Sequence, residues 1–166
     1  MKGILEENKK WIDETWEALD KKMKLVSQRS KDKIPYSAVD GVHDNQMDPS
    51  ATYRASWWTN GFWPGLMWVM YCGTKDEAYR KVAETGEKML DEAFKDFDGL
   101  HHDVGFMWHI SSGMNYRLFK GKESRTRTLY AANMLAARYN INAGYLRAWN
   151  EDKYGWTIID TMMNIP

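Results

Sequence analysis

The sequence of 166 residues has one cysteine, Cys72, and no surplus of either charge. A single cysteine cannot close an internal disulfide, and the four histidines lack the spacing of a structural zinc site. Lys and Arg number 23, as do Asp and Glu, so the formal net charge is zero. Such a balance disfavours proteins that coat nucleic acid or are steered to an anionic membrane. We therefore predict a fold held together by packing, without a metal or another cofactor.

Long apolar runs and nucleotide-binding loops are also missing. No stretch approaches the roughly 20 apolar residues of a membrane span, and the segment Met1–Glu7 turns acidic too early for a secretory signal. The sequence has no Gly-Lys-Ser/Thr loop, no Gly-x-Gly-x-x-Gly and no Gly-x-Ser-x-Gly, the usual marks of nucleotide binding and of a serine nucleophile. We predict one soluble, cytoplasmic domain over residues 1–166, with no nucleic-acid or membrane partner.

Aromatic residues, by contrast, are abundant. Trp, Tyr and Phe make up 14% of the sequence, which contains nine Trp. Many of these rings stand beside Gly, Asn, His or Asp, and flat rings among polar groups suit the binding of sugars. Trp63 and Trp68 fall within an apolar segment and are predicted to be core residues. Trp58 and Trp149 precede predicted helix starts, where a ring can stack on a sugar face.

Apolar periodicity predicts alternating amphipathic and buried helices. An amphipathic helix over 2–25 is expected to form an outer layer or a lid, and residues 28–56 an irregular connection without strands. Two apolar segments are predicted as buried inner helices, each followed by an amphipathic outer helix. The inner helices are 59–72, with Pro64 in its first turn and Gly73 at its end, and 103–119; the outer helices are 76–94 and 125–139; a third inner helix begins at Asp160.

The starts of the predicted inner helices repeat. The pair Gly61-Phe62 recurs as Gly105-Phe106, 44 residues later, and Asp103 and Asp160 lie 57 residues apart. Helical hairpins at such periods are typical of an all-α solenoid or a closed toroid, in which each unit buries its face on its neighbours. All inner helices then begin at the same rim, so we expect Asp103 and Asp160 around one mouth.

Asp103 and Asp160 each stand directly ahead of an apolar helix, and two interpretations fit. Asp is a preferred helix N-cap, which stabilises a helix by roughly 0.5–2 kcal/mol. Alternatively, the two acids form a carboxylate pair in which repulsion and desolvation raise one pKa, so that one acid delivers a proton while the other stays ionised. The two interpretations are compatible.

The neighbouring histidines leave a similar choice. His101 or His102 could orient the Asp103 carboxylate or donate to a ligand, whereas the spacing alone favours an exposed loop pair. A metal site is disfavoured because three consecutive residues cannot easily direct all three side chains at one ion. The sequence therefore predicts carboxylate chemistry and no metal ligand.

Four segments of the sequence carry a further signal: residues 58–65, 101–106, 148–149 and 158–164. Together they resemble the unsaturated glucuronyl hydrolases, glycoside hydrolase family 88, and their rhamnogalacturonyl relatives. The resemblance extends over about residues 55–166 and implies an (α/α)6 toroid. It also implies hydration of the 4,5 double bond of an unsaturated uronic acid at the non-reducing end of a lyase-generated oligosaccharide, with release of the next sugar.

The resemblance assigns roles to individual residues. Asp160 matches the general acid and base, and Asp103 the second catalytic acid, which holds ring hydroxyls and tunes Asp160. Trp58, His102 and Trp149 match residues that line the sugar subsite.

Members of this family are about twice as long as the present chain. The resemblance therefore predicts about half of the ring, its N-terminal half, in need of the missing C-terminal half or of self-association. Two alternatives remain open. One is an unsaturated rhamnogalacturonyl hydrolase; the other is a non-catalytic helical-repeat carbohydrate-binding fragment, in which Asp103 and Asp160 only cap helices.

Overall fold

The structure is a computed structural model that describes residues 2–151 and 153–165. Met1, Asp152 and Pro166, which belong to the predicted domain 1–166, lie outside the described residues. The helices are α1 Lys2–Glu7, α2 Lys9–Arg29, α3 Phe62–Thr74, α4 Glu77–Met89, α5 Val104–Trp108, α6 Ser112–Phe119, α7 Lys122–Ala136 and α8 Ile159–Met163. Short 3-10 turns cover Trp58–Gly61, Leu90–Phe94 and Phe97–Gly99. The all-α prediction is confirmed, apart from two short hairpins.

Two β-hairpins interrupt the helical pattern. The prediction that residues 28–56 contain no strand is wrong, because Ala38–Val39 (β1) pairs antiparallel with Val42–His43 (β2). The turn between them is Asp40-Gly41 with φ of 49° and 75°, the Asp-Gly chemistry that a two-residue hairpin favours. The second hairpin pairs Tyr139–Asn140 (β3) with Tyr145–Leu146 (β4), so the outer helix predicted to reach Tyr139 ends earlier, at Ala136.

The N-terminal helix and the first inner helix pack together. The helix predicted over 2–25 forms as α1 and α2, divided at Asn8, and continues to Arg29. The prediction that Gly73 ends α3 is wrong. Gly73 lies inside the helix, where a Cβ would overlap the ring of Trp16 from α2. The helix ends instead at Thr74 and is capped by Lys75, which adopts a left-handed conformation with φ of 61°. The local sequence suggested that the glycine serves as a helix end, whereas the structure shows that it makes room for the Trp16 ring of α2.

The first hairpin of inner and outer helices forms as predicted. Trp63 and Trp68 are buried, and Pro64 lies in the first turn of α3, where its missing N–H costs little. The outer helix α4 starts after Asp76, whose carboxylate accepts a hydrogen bond of 2.9 Å from the N–H of Ala78. A buried stripe on α4 then faces α3: Tyr79, Val82, Ala83, Gly86 and Glu87.

The second inner helix is broken, which the sequence did not predict. Residues 103–119 form α5 and α6, separated at residues 109–111. Ser111 leaves helical geometry, with φ of −95° and ψ of −94°, while its hydroxyl donates to the carbonyl of Met107 at 2.5 Å. Hydrogen bonding of serine to a preceding carbonyl competes with the helix ladder, so the break has a local cause.

The repeated glycines explain how successive inner helices approach one another. A Cβ on Gly61 would overlap the backbone of Met107 in α5, and a Cβ on Gly105 would lie 2.6 Å from the Cα of Asn164, which follows α8. Real Cβ atoms do not come that close. Each Gly-Phe pair thus allows the start of one inner helix to lie against the next, and the beginnings of α5 and α8 meet.

A buried carboxylate joins the hairpins behind this rim. Glu87, 1% exposed, accepts hydrogen bonds from Trp68 Nε1 at 2.8 Å, Asn115 Nδ2 at 3.2 Å and Ser124 Oγ at 3.1 Å. Arg127 Nη1 lies 3.8 Å away. Burial raises the pKa of Glu87, and its hydrogen-bond donors and Arg127 oppose that rise. The donors come from α3, α6 and α7, so one side chain of α4 links three other helices.

Candidate active site

Three titratable side chains meet where α5 and α8 begin. His102 Nε2 lies 3.3 Å from Asp103 Oδ1 and 3.3 Å from Asp160 Oδ2. His102 is fully buried and Asp103 is 7% exposed, whereas the side chain of Asp160 is 41% exposed. One imidazole therefore stands behind two carboxylates, only one of which is open to solvent.

The ring of His102 is held from its other side. Its Nδ1 lies 2.8 Å from the carbonyl oxygen of Ala148, which also accepts a hydrogen bond of 2.9 Å from Arg138 Nη2. Arg138 further binds the carbonyl of Arg147 at 2.7 Å and Asn150 Oδ1 at 2.7 Å. The loop that carries Ala148 is thus anchored to the end of α7, and the orientation of the imidazole follows from it.

Asn164 connects the two acids. Its Oδ1 accepts a hydrogen bond of 2.7 Å from the N–H of Phe106, and its Nδ2 donates to the Asp160 carbonyl at 2.8 Å and to Asp103 Oδ1 at 3.4 Å. This side chain is 2% exposed. It fixes the end of α8 to the first turn of α5, and so sets where Asp160 stands relative to Asp103.

Helix capping does not account for the two acids. Asp103 occupies the N-cap position of α5, but among the described residues its carboxylate accepts no capping hydrogen bond. Asp160 is the second residue of α8, whose N-cap is Ile158. The interpretation of these residues as side-chain caps is therefore wrong, and their carboxylates are turned towards His102 instead.

The surroundings of Asp103, the more buried of the two acids, raise its pKa. Burial raises the pKa of Asp103, and the nearby charge of Asp160 raises it further, while His102 and the Asn164 hydrogen bond lower it. The net direction is upward. A raised pKa is what burial and a second nearby carboxylate produce in a carboxyl group.

His101 packs on the same cluster. Its ring stacks on that of His102 with centroids 4.8 Å apart, and its Nδ1 lies 3.5 Å from Asp103 Oδ2. Burial, followed by the neighbouring His102 and Arg138, lowers the pKa of His101 to about 4, so its ring is neutral at pH 7. The expectation that the two histidines form an exposed loop pair is wrong, because both rings lie behind Trp149.

The two predicted sugar-stacking tryptophans occupy different parts of the rim. Trp149 meets the edge of His102 at 4.6 Å and His101 at 5.2 Å. Trp58 contacts Phe62 at 5.5 Å and Phe106 at 5.9 Å, so it adjoins the first turn of α5. Both are partly exposed, and they stand on different segments that border α5.

Comparison with known proteins finds relatives of this chain. The chain is 35% identical over 114 residues to the unsaturated glucuronyl hydrolase of Bacillus sp. strain GL1, a match that covers 66% of this chain and 30% of that relative. It is 34% identical over 157 residues to the unsaturated chondroitin disaccharide hydrolase of Streptococcus pyogenes serotype M1, covering 90% of this chain and 38% of the relative. The chain is a homologue of the unsaturated glucuronyl hydrolases.

Solved unsaturated glucuronyl hydrolases share the fold. The structure from Bacillus sp. GL1 superposes with a TM-score of 0.67 at 28% identity, over 83% of this chain and 36% of that one. A variant with the oligosaccharide dGlcA-Glc-Rha-Glc superposes with a TM-score of 0.68 at 29% identity, with the same coverage. These neighbours are α/α toroids, so the predicted helical-hairpin fold is confirmed. No family model matches the chain.

The chain spans well under half the length of these unsaturated glucuronyl hydrolases. It covers 30% and 38% of the two curated relatives named above and 36–40% of the solved chains. Among the described residues no helix is long and apolar enough to cross a membrane.

Of the residues assigned by resemblance to unsaturated glucuronyl hydrolases, the structure brings four into one cluster. Asp103, Asp160, His102 and Trp149 are in mutual contact through the imidazole, while Trp58 stands apart beside Phe106. The roles of all five stay predictions.

Sequence reasoning missed the bridging part played by Asn164, although that residue closes one of the resembling segments. An amide directly after a short helix start, on the rim already defined by Asp160, was the available signal. The carbonyl of Ala148 left no signal, because any residue supplies one.

The side chains of His101, His102 and Asp103 offer ligand atoms within 4.8 Å of one another. Such a separation is compatible with a metal ion, so the sequence prediction of no metal stays a prediction. Within the described cluster, however, His102 Nε2 already hydrogen-bonds to Asp160 Oδ2 at 3.3 Å and lies 3.3 Å from Asp103 Oδ1.

Proposed function

We propose that this chain forms part of a glycoside hydrolase of the unsaturated glucuronyl hydrolase type. Its substrate class would be oligosaccharides that carry a 4,5-unsaturated uronic acid at the non-reducing end, the products of polysaccharide lyases. The observation that carries the proposal is the pairing of buried Asp103 with half-exposed Asp160 across one histidine, in a homologue of these enzymes. We also propose a cytoplasmic location, which the free thiol of Cys72 supports.

The half-exposed side chain of Asp160 supports the role of general acid and base that the resemblance implies for it. It would donate a proton to C4 of the enol ether, and the oxocarbenium charge that develops would be met by the carboxylates of the site. Asp160 would then take a proton from the water that adds at C5. The resulting hemiketal opens and releases the next sugar. Hydration of a double bond differs from displacement by two carboxylates astride a glycosidic bond, so the distance between the acids does not predict stereochemistry.

Asp103 and the tryptophans would hold the sugar. Asp103 is almost completely covered, so it can bind ring hydroxyls only at the floor of the site while it restrains Asp160 through their common histidine. Trp149 and Trp58 present partly exposed rings on different segments that border α5, where each could stack on a sugar face.

The test is the loss of the ultraviolet absorbance of the conjugated double bond in unsaturated uronyl disaccharides. We expect loss with a protein in which this chain is joined to, or mixed with, the remaining part of an unsaturated glucuronyl hydrolase ring. Loss with the present chain alone would show that this part is sufficient. If no form of the chain consumes the double bond, yet it binds the sugar, the non-catalytic carbohydrate-binding alternative is correct.

Substrate choice distinguishes an unsaturated glucuronyl hydrolase from the alternative of an unsaturated rhamnogalacturonyl hydrolase. An unsaturated rhamnogalacturonyl hydrolase would act on disaccharides with rhamnose next to the unsaturated uronate and would leave glucuronyl-hexosamine disaccharides intact. We expect the opposite preference, since the curated relatives named above act, by their names, on glucuronyl and chondroitin disaccharides.

The partner we propose is the remainder of the ring. An apolar groove of about 880 Å³ runs between α5, α7 and α8. The helix α3 exposes Phe62, Leu66 and Val69 by 41%, 40% and 54%, one turn apart on one face. Exposed apolar faces of this kind mark interaction surfaces. We infer that a helical-hairpin ring continues at these two surfaces.

Length favours the missing hairpins over a second copy as the occupant. The chain covers at most 40% of a solved relative, so two copies together amount to no more than 80% of one ring. A polypeptide that supplies the other hairpins would cover both apolar edges, whereas a pair of identical chains would leave a gap.

Sedimentation velocity tests the partner. We expect the chain to form a one-to-one complex with the remaining part of an unsaturated glucuronyl hydrolase ring, produced as a separate polypeptide. Val69→Lys, on the exposed face of α3, is expected to weaken the complex at least tenfold. Val39→Lys is the matched control. Val39 lies on β1 and is 71% exposed, so this change should leave the complex intact. A stable monomer that binds no such polypeptide, or a homodimer alone, would contradict the proposal.

A further inference from the structure

The two ring nitrogens of His102 face partners of the same kind. Nδ1 is 2.8 Å from the carbonyl of Ala148, and a carbonyl oxygen only accepts hydrogen bonds. Nδ1 must therefore carry a hydrogen. Nε2 lies 3.3 Å from a carboxylate oxygen of Asp103 and 3.3 Å from one of Asp160.

This arrangement requires one proton more than three independent side chains would hold. If the ring were neutral with its hydrogen on Nδ1, and both acids were ionised, the lone pair of Nε2 would face two negative oxygens with no hydrogen between them. Burial of His102 removes the water that could screen or bridge such a contact. A proton must lie on Nε2 or on one of the carboxyl groups.

We propose that His102 holds one proton in common with Asp103 and Asp160 and is thereby the positioning residue that keeps Asp160 supplied with the proton it delivers. This inference rests on the function proposed above. It gives His102 a different role from the sugar contact that the resemblance implied, because a side chain with no exposed surface stands behind the carboxylates and not before the substrate.

The proton balance closes over one turnover. The shared proton moves to Asp160 and from its carboxyl oxygen to the substrate carbon, which leaves Asp160 ionised. The water that adds to the neighbouring carbon forms a C–O bond and loses one proton to Asp160. The trio then holds its shared proton again, and the enzyme has gained and lost nothing.

Other charged groups near the ring do not supply this proton. His101 stacks on His102, and its pKa of about 4 leaves it neutral at pH 7. Arg138 directs a guanidinium hydrogen to the Ala148 carbonyl, where it fixes the acceptor of Nδ1. Trp149 covers the ring edge. The raised pKa of Asp103 is consistent with an acid that keeps a share of the proton.

NMR of the intact chain tests the sharing without any activity assay. Imidazole ¹⁵N signals and aspartate carboxyl ¹³C signals would be recorded near pH 7 with EDTA present, and assigned with His102→Gln and with Asp103→Asn. We expect Nδ1 of His102 to carry hydrogen, and either Nε2 or one of the two carboxyl groups to show a protonated signal. A bare Nε2 together with two fully ionised carboxylates would overturn the proposal.

Kinetics of the form that hydrates substrate give a second readout. His102→Gln is expected to lower kcat at least tenfold with little change in KM, and to change the pH profile of kcat. His43→Gln is the matched control, since His43 lies on β2, where its ring contacts Ser30 and Trp63. A rise in KM with unchanged kcat would mean that His102 contacts the sugar. Because the NMR measurement needs no turnover, its outcome stands even if the hydration proposal fails.

Discussion

Asparagine in place of Asp160 is expected to slow the hydration of the unsaturated uronyl double bond by roughly 10²–10⁴-fold, the usual contribution of a positioned general acid or base. The amide keeps the size of the side chain and its hydrogen bonding to His102, but it has no proton to deliver to C4. The rate of absorbance loss at saturating substrate measures the effect, in whichever form of the protein consumes the double bond.

A matched control separates chemistry from stability. Asp48→Asn changes an exposed acid far along the chain from the cluster and should leave the rate unchanged. Asp160→Asn should also unfold at nearly the same urea concentration as the parent, since Asp160 makes no capping bond within the described residues. If Asp160→Asn keeps more than a tenth of the parent rate while folded, Asp160 is not the general acid.

The second large effect concerns the repeated glycines. Gly61→Ala is expected to destabilise the fold by about 1–3 kcal/mol, the usual cost of overpacking, because the added methyl would overlap the backbone of Met107. Backbone atoms cannot move aside as a side chain can. Gly105→Ala should act more locally, by displacing α8 from α5, so that activity falls more than stability does.

Urea unfolding followed by tryptophan fluorescence measures the loss of stability in Gly61→Ala, and the absorbance assay measures the loss of activity in Gly105→Ala. Gly155→Ala is the matched control, since a Cβ there meets nothing within 4 Å. We expect its unfolding midpoint to be unchanged or slightly raised. Equal midpoints for Gly61→Ala and Gly155→Ala would show that the inner helices are not held at the distance seen in the structure.

Much of the fold could be predicted from local sequence. The alternation of apolar and amphipathic segments fixed the order of inner and outer helices, because the period of apolar residues is a property of each helix by itself. Asp76 signalled the start of α4, and the Gly-Phe repeat signalled equivalent helix starts. The same repeat, with Asp103 and Asp160, indicated where the candidate site lies.

Local sequence failed where close packing or side-chain hydrogen bonding decides the conformation. Gly73 looks like a helix end but is required by the ring of Trp16, and Ser111 looks like part of a continuous helix but breaks it. The β3–β4 hairpin replaces the predicted last turn of an outer helix. In each case packing or hydrogen bonding outweighs a helix propensity worth less than about 1 kcal/mol per residue.

The sequence by itself determined the helical class, the repeat and the two acids. Only the tertiary structure decided the burial and the contacts of those acids. His102 is held by Ala148, 46 residues away in the sequence, and contacts Asp160, 58 residues away. Burial and hydrogen-bond direction arise when such distant segments close on one another. A histidine that reads as an exposed loop residue in the sequence thereby becomes the buried partner of two carboxylates.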